Sequence, residues 1–126
     1  MEVSAFPSAC PSRTVLDHVM SKWGLLLLLA LSGGTKRWSE LRRTVEGVSE
    51  KMLAQTLQTL ERDGLVRRDA RPVIPPHVDY RLTALGHELV QRLHPLMDWI
   101  LVNADAIVSG EARQRIDEPA SIGHTQ

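Results

Sequence analysis

The sequence contains only one cysteine and few aromatic side chains. Phenylalanine, tryptophan and tyrosine together make up 4% of the 126 residues, whereas hydrophobic residues make up 43%. A single cysteine excludes an intrachain disulfide and is consistent with a reducing compartment. The shortage of aromatic residues favours a leucine-rich helical core over a β-sandwich, and the length fits one domain.

Long hydrophobic runs are also absent. The apolar stretch from Trp23 to Leu31 is well short of the ~20 residues that a helix needs to cross a bilayer. We therefore interpret it as a buried helix. The chain begins Met1-Glu2-Val3, without a basic region ahead of an apolar one, so we expect no targeting segment and a cytoplasmic location.

The chain has no net charge, but its charges are unevenly distributed. Residues 36 to 71 carry nine basic and six acidic side chains, a balance of +3, whereas residues 72 to 126 carry four and seven, a balance of −3. The first 35 residues cancel at two each. The positive field therefore lies on residues 36 to 71, which favours contact with a polyanion, although an ordinary solvated surface can also show such asymmetry.

The residue patterns of enzymes and metal sites are missing. The sequence shows no glycine-rich phosphate loop, no paired carboxylates and no nucleophile elbow. His87 and His94 can share a helix face, but no third ligand lies near them in the sequence. We predict that the protein is not an enzyme and has no cofactor or metal.

The segment from Thr35 to Gly64 has the pattern of a helix-turn-helix. Leu41 and Val45 are four residues apart and share one face of a first helix, which Ser39 is placed to cap. Gly47 can adopt the positive φ of the turn, and Ser49 can cap a second helix.

The second of these helices is amphipathic. Leu53, Leu57 and Leu60 repeat at helical spacing and are expected to face the core. Its outward residues are then available to a partner: Glu50, Lys51, Ala54, Gln55, Gln58 and Arg62.

The rest of the chain completes a winged helix. Two helices are predicted before the motif, at about residues 14 to 21 and 22 to 32. After it, Leu65 to Arg68 begins one strand, and Val78 to Leu82 alternates as a second. Three prolines between them prevent continuous pairing and form an extended tip. The predicted fold is mainly α-helical with a small β-hairpin.

A long helix follows, capped by Thr83, with leucines near one face and Pro95 within it. Proline there predicts a kink or a join between two helices. We divide the chain into an N-terminal arm (1–12), a winged-helix domain with a C-terminal dimerisation helix (13–108) and a disordered tail (109–126).

These features resemble the HxlR-type branch of the MarR-like winged-helix transcription regulators of bacteria and archaea, over about residues 10 to 102. The matching segments are Cys10-Pro11, KWGLLLLLAL, KRWSELRR, GVSEKMLAQTLQTLERDGLVRR and PPHVDYRLTALG. The family usually has two glycines where this chain has Met20-Ser21, and tends to have Phe in place of Trp38. These departures affect packing and leave the DNA face intact.

The resemblance implies a homodimer whose two reader helices enter successive major grooves of a near-palindromic operator on double-stranded DNA, more often as a repressor. The dimer is implied to involve the arm, the first helix and the C-terminal helix. The candidate interface residues on the two helices are Leu16, Val19, Met20, Leu93, Leu96, Met97 and Ile100.

Side-chain chemistry assigns different roles along the predicted reader. Gln55 can pair with adenine and Lys51 can reach guanine acceptors, with Gln58 nearby. The predicted phosphate contacts are Lys36, Arg37, Ser49 and Arg62, the last if no acid pairs with it. The predicted wing is expected to contact the DNA backbone or the minor groove through Arg71, His77 and Arg81.

Cys10 is the one residue with reactive chemistry of its own. Its position near Arg13 and a helix start can lower the pKa of the thiol. The resemblance implies that relatives with a cysteine here switch DNA binding by thiol oxidation, and two arms in a dimer could form an intersubunit disulfide. The alternative is an unreactive arm cysteine, and the effector could equally be a small molecule.

Two other functions are compatible with the sequence. The winged helix could serve as a protein association module without specific DNA binding. A small-molecule enzyme within a dimer cavity is a third alternative, which no catalytic constellation supports.

Overall fold

The structure is a computed structural model that describes residues 7 to 115. It contains five α-helices, three strands and a short 3₁₀ helix within that range. In chain order these are α1 (Pro11–Val19), α2 (Lys22–Leu31), β1 (Lys36–Arg37), α3 (Trp38–Thr44), α4 (Glu50–Arg62), β2 (Val66–Arg71), β3 (His77–Leu82), α5 (Ala84–Ser109) and the 3₁₀ helix (Glu111–Arg115). The predicted winged-helix order is confirmed.

The described residues form two compact units, which divide between Leu93 and His94. The core belongs to the first unit and is built mainly from leucines of α2 and α4. Leu27 and Leu28 are fully buried on α2, and Leu53 and Leu60 are fully buried on α4. The expectation that the leucine-rich helix is central is therefore confirmed.

The sheet has three antiparallel strands in the order β1-β3-β2. The sequence predicted only the hairpin of β2 and β3. Strand β1 has two residues and pairs Lys36 with Tyr80 and Arg37 with Asp79. Two residues are too few to show the alternation that identifies a strand, so this pairing depends on tertiary contact.

Helix caps agree with the sequence at one helix of the motif and disagree at the other. Ser49 caps α4, since its Oγ accepts a hydrogen bond from the Met52 backbone N–H at 3.1 Å. The expected cap of α3 by Ser39 is wrong, because α3 begins at Trp38 directly after β1. Instead, Glu40 Oε1 accepts from the Arg37 backbone N–H at 3.0 Å.

The ends of the chain differ from the predicted boundaries. Helix α1 begins at Pro11, inside the predicted arm, because proline fits the first turn of a helix. Helix α5 continues through Pro95 to Ser109 without a join, and Thr83 Oγ1 caps it by accepting from Gly86 N–H. Residues 111–115 of the predicted tail are helical, whereas residues 1–6 and 116–126 lie outside the described residues.

Candidate nucleic-acid interface

The turn between α3 and α4 fixes the start of α4, the predicted reader helix. Gly47 has φ +91°, a conformation that residues with a Cβ rarely adopt. Arg42 of α3 forms an ion pair with Glu50 of α4, with N···O 3.3 Å. Glu50, which the sequence left available to a partner, is therefore engaged within the motif.

Helix α4 presents an uncommitted polar stripe. Lys51, Gln55, Gln58 and Arg62 follow one another at spacings of four, three and four residues, and all four are exposed. Within residues 7 to 115, none of these side chains makes a hydrogen bond or ion pair. Buried Leu53, Leu57 and Leu60 occupy the opposite side of the helix and fix this stripe outward; we call the four residues the reader stripe.

Lys36 and Arg37 lie on β1, at one edge of the sheet and immediately before α3. Lys36 is half-buried and Arg37 is exposed. Neither forms an ion pair with a described residue, so both cations can contact an external anion. The paired strand fixes their backbone positions, which sequence proximity to α3 alone did not establish.

The wing is the hairpin of β2 and β3. It carries ion pairs between acidic and basic side chains on the face of the sheet that points away from the core. Asp69 lies between two arginines, with its carboxylate 3.0 Å from Arg67 Nε and 3.2 Å from Arg81 Nε. Arg81, a predicted DNA contact, is therefore already paired within the wing.

A second aspartate, Asp79, also lies close to two basic side chains, nearer the turn between β2 and β3. Asp79 accepts a 2.9 Å contact from His77 Nε2 and lies 4.0 Å from Arg71. We call Asp69, Asp79 and their four basic partners the wing network. The sequence prediction missed it, although acids and bases two residues apart on a strand share a face and were a usable signal.

Helix α1 is joined to the far end of α4 by a side-chain contact. His18 Nδ1 lies 2.8 Å from Asp63 Oδ2, and both side chains are largely shielded from solvent. The two residues are 45 positions apart, so no local sequence pattern could reveal the pair. It connects the helix that follows Cys10 with the helix that carries the reader stripe.

Cys10 precedes α1 as its N-cap residue and is half-buried. Hydrogen bonding from the Ser12 side chain, and then from the Ser12 and Arg13 backbone N–H groups, lowers the pKa of the thiol below its ordinary value, although burial opposes this. The sequence predicted the direction and assigned it to nearby Arg13 and to the start of the helix, where the Ser12 and Arg13 backbone N–H groups lie. The structure shows Ser12 as the main cause and the Arg13 backbone as a lesser one.

Apolar surface is exposed in both units. In the first, a groove of about 510 Å³ is lined by α1 and the start of α5, with Leu16 and Met20 each 45% exposed. Val19 and Leu93, also predicted at a dimer interface, are buried in the core and reach the groove only as its floor. In the second unit, exposed apolar residues of α5 include Leu96, Trp99, Ile100, Leu101 and Val102.

Over residues 7 to 115, no single helix is long and apolar enough to cross a membrane, and only α1 with α2, a pair bent by 70°, has sufficient combined length and composition. The same residues contain no group of three or more histidine, cysteine or acidic side chains arranged to hold a metal ion.

Comparison with known proteins identifies the family. Residues 18–107 match the model of the HxlR-like helix-turn-helix family. The HTH-type transcriptional regulator YtfH of Escherichia coli strain K12 is 53% identical over 108 residues, 86% of each chain. The solved structure of a transcriptional regulator YtfH from Salmonella typhimurium is 51% identical with a TM-score of 0.79, covering 85% of this chain and 96% of that one.

A solved structure with lower sequence identity is that of a redox regulator. The redox regulator HypR, in its oxidised form, is 34% identical with a TM-score of 0.69, covering 75% of this chain and 97% of its own. The matched proteins are transcriptional regulators, and the match spans α1 to α5. This chain therefore belongs to the HxlR-like helix-turn-helix family and is a transcriptional regulator with a helix-turn-helix DNA-binding fold.

Proposed function

We propose that this protein acts in the cytoplasm as a homodimer that binds a near-palindromic operator and represses transcription by competing with RNA polymerase. The observation that carries the proposal is the reader stripe. A capped helix presents four exposed polar side chains in one line, and none of them is used within the described chain. Such side chains are available to hydrogen-bond base edges in the major groove.

The reader stripe divides into base and phosphate contacts. Lys51, Gln55 and Gln58 occupy the N-terminal two-thirds of the stripe, where amide and ammonium groups can reach base edges. Ser49, Lys36, Arg37 and the unpaired Arg62 contact phosphates. Ser49 Oγ accepts the capping hydrogen bond, so the O–H hydrogen is still available as a donor. The phosphate contact uses this hydrogen together with the backbone N–H groups at the start of the helix.

The wing contributes a weaker contact. Arg71, His77 and Arg81 approach the DNA backbone or minor groove, but the aspartates of the wing network offset their charge. Their net attraction for phosphate is therefore lower than that of unpaired cations.

Exposed apolar surface supports the homodimer. The groove beside α1 and the apolar face of the second half of α5 both expose large aliphatic side chains that water solvates poorly. Contact with a second copy would remove Leu16, Met20, Leu96, Met97 and Ile100 from solvent. A twofold dimer would also explain a palindromic operator, since each half-site receives one reader helix.

Selection of fragments from the organism's own genomic DNA tests the proposal. We expect enrichment of a palindrome whose half-sites lie about one helical turn apart. Affinity for the recovered site should fall with salt at a log–log slope of about −4.5 to −7, if five to eight phosphates are neutralised per dimer. No enrichment and a flat salt response would instead favour a protein association module.

The lowered pKa of the Cys10 thiol favours an oxidant as the effector, and a small molecule is the alternative. The relative HypR is described as a redox regulator and has been solved in oxidised and reduced forms. The Cys10 residues of two protomers can lose two hydrogens to diamide and form one S–S bond, while diamide is reduced to the hydrazine. We expect diamide to lower operator binding by the wild type and to leave Cys10→Ser unaffected.

Equal loss of binding in both proteins would remove Cys10 as the sensor.

A second measurement checks the environment of the thiol. Because the Ser12 hydroxyl lowers the pKa of Cys10, Ser12→Ala should raise this pKa and shift the pH profile of iodoacetamide alkylation upward. Alkylation at pH 7 should then slow by a few-fold. Thr14→Ala, also on α1, serves as the control.

A further inference from the structure

A cavity of about 340 Å³ lies in the first unit between α4, the start of α3 and the sheet. Its volume is within the range of about 300–1,000 Å³ typical of small-molecule sites. We call this cavity the notch. The side chains that matter for its chemistry are those of Trp38, Leu57, Gln58, Glu61, Arg68 and Tyr80.

Tyr80 contributes an unpartnered hydroxyl to the notch. The residue is only 7% exposed, on the central strand of the sheet. Its hydroxyl makes no hydrogen bond with any residue from 7 to 115, yet no fully buried side-chain oxygen or nitrogen there lacks a partner. The hydroxyl must therefore reach open space, and the notch is the cavity that Tyr80 lines. The ring is held in the core while the hydroxyl, without a partner among the described residues, faces the notch and is available to a ligand.

Two opposite charges border the same space without pairing. Arg68 is the cross-strand neighbour of Tyr80, so both side chains stand on the same face of the sheet. Adjacent Arg67, on the other face, pairs with Asp69, whereas Arg68 has no carboxylate partner among the described residues. Glu61 of α4 is likewise unpaired there. A guanidinium and a carboxylate that share a cavity without meeting suit a ligand that carries both charges.

The remaining lining is apolar or aromatic. Leu57 is 2% exposed, and the half-buried Trp38 packs against the core. Trp38 offers a surface for an apolar or planar group next to the two charges, and Leu57 adds only a small apolar area beside it.

We propose that the notch binds a small zwitterion of the amino-acid class with an apolar or aromatic side chain. Its carboxylate would accept hydrogen bonds from Arg68 and from the Tyr80 hydroxyl. Its ammonium group would donate to Glu61, and its side chain would pack on Trp38 and Leu57. No covalent step is involved.

Occupation of the notch has a consequence for the reader stripe. Gln58 belongs both to the stripe and to the lining of the notch. A ligand that hydrogen-bonds Gln58 or reorients it removes one of the proposed base contacts, so it should weaken operator binding. This consequence rests on the proposed function, whereas ligand binding itself does not require DNA.

The first experiment measures ligand binding to the full chain without DNA. L-phenylalanine is titrated by calorimetry, with 3-phenylpropionate and 2-phenylethylamine as probes that each lack one charge. We expect a Kd for L-phenylalanine of about 1 mM or below. Each single-charge probe should bind at least about fivefold more weakly, because it leaves Glu61 or Arg68 without its partner.

Variants locate the site. Tyr80→Phe keeps the ring and removes only the hydroxyl, and Arg68→Gln removes the charge; each should weaken L-phenylalanine about tenfold. Arg67→Gln is the matched control, because it removes the same charge from the next residue on the opposite face, and it should change the Kd less than twofold. Thermal melts monitored by circular dichroism confirm that each variant is folded.

The outcomes separate this site from the proposed function. Absence of binding up to about 10 mM, or equal loss in Arg67→Gln, overturns the ligand site even if the operator is bound. Binding of L-phenylalanine that weakens in Tyr80→Phe supports the site even if no operator is found. If instead Tyr80→Phe and Arg68→Gln weaken operator binding and no amino acid binds, the notch contacts DNA phosphate and the proposal is wrong.

Discussion

The reader stripe and the wing network are both rich in polar side chains, but they use them differently. On α4, Lys51, Gln55, Gln58 and Arg62 are exposed, and their side chains make no hydrogen bond or ion pair within the described chain. On the wing, two aspartates lie within 4.0 Å of four basic side chains. The first surface keeps its hydrogen-bonding capacity for a partner, whereas the second has used much of it to order a hairpin.

The charge balance of a segment can therefore mislead about where DNA is attracted most strongly. Residues 36 to 71 have a charge balance of +3, and the wing contributes three of the nine bases counted there. Because Asp69 and Asp79 offset the wing arginines locally, we expect the strongest attraction for DNA from α4 and β1. Net charge over a segment identifies a candidate surface, but the pairing of each charge decides its contribution.

The largest expected effect comes from the centre of the reader stripe. Gln55→Ala should lower operator affinity by about 10- to 100-fold, because it removes the proposed bidentate contact to a base. Affinity for unrelated DNA should change little, since phosphate contacts are intact. Competition binding by fluorescence anisotropy measures both, with Gln91→Ala on α5 as the control. Equal losses on operator and unrelated DNA would show that Gln55 does not read bases.

A matched pair of arginines compares the two surfaces directly. Arg62→Ala removes an unpaired cation and should lower affinity about three- to tenfold, reducing the salt slope by about 0.9. Arg81→Ala removes a cation already paired with Asp69 and should lower affinity less than twofold. Salt titrations of both variants measure the slopes. If Arg81→Ala has the larger effect, the wing network does not shield its cations.

The smallest effect is expected when the wing network is broken from the acidic side. Asp69→Asn releases Arg67 and Arg81, so operator affinity should rise about twofold at low salt with a steeper salt dependence. Asp98→Asn on α5 makes the same change of charge elsewhere and serves as the control. A gain of similar size in both variants would indicate general electrostatics and no specific release of the wing arginines.

The fold followed from the sequence to a large extent because its signals are local. Leu53, Leu57 and Leu60 repeat at the period of a helix, and their burial confirms that interpretation. Gly47 and Ser49 shape the turn through their own backbone and side-chain chemistry, as expected. Ser39 failed as a cap for a reason outside its neighbourhood, since pairing of β1 with β3 sets where α3 begins.

The candidate site was less accessible to sequence reasoning. The types of residue on α4 indicated their roles, but the pairing of the wing arginines depends on the register of β2 and β3. The contact between His18 and Asp63 joins positions 45 residues apart. No periodicity or short motif reports a contact at that separation, because it exists only when α1 packs beside α4.

Local sequence was sufficient to predict the helices, the turn of the motif, the buried leucines and the outward placement of Lys51, Gln55 and Gln58. These depend on backbone preference and on periodicity within a few turns of helix. The packing of distant segments was needed to establish that β1 joins the sheet, that the wing cations are paired, and that one notch is bordered by Tyr80, Arg68 and Glu61. Hydrogen bonds and ion pairs between side chains form only within a few ångströms, so they depend on which distant segments the core brings together.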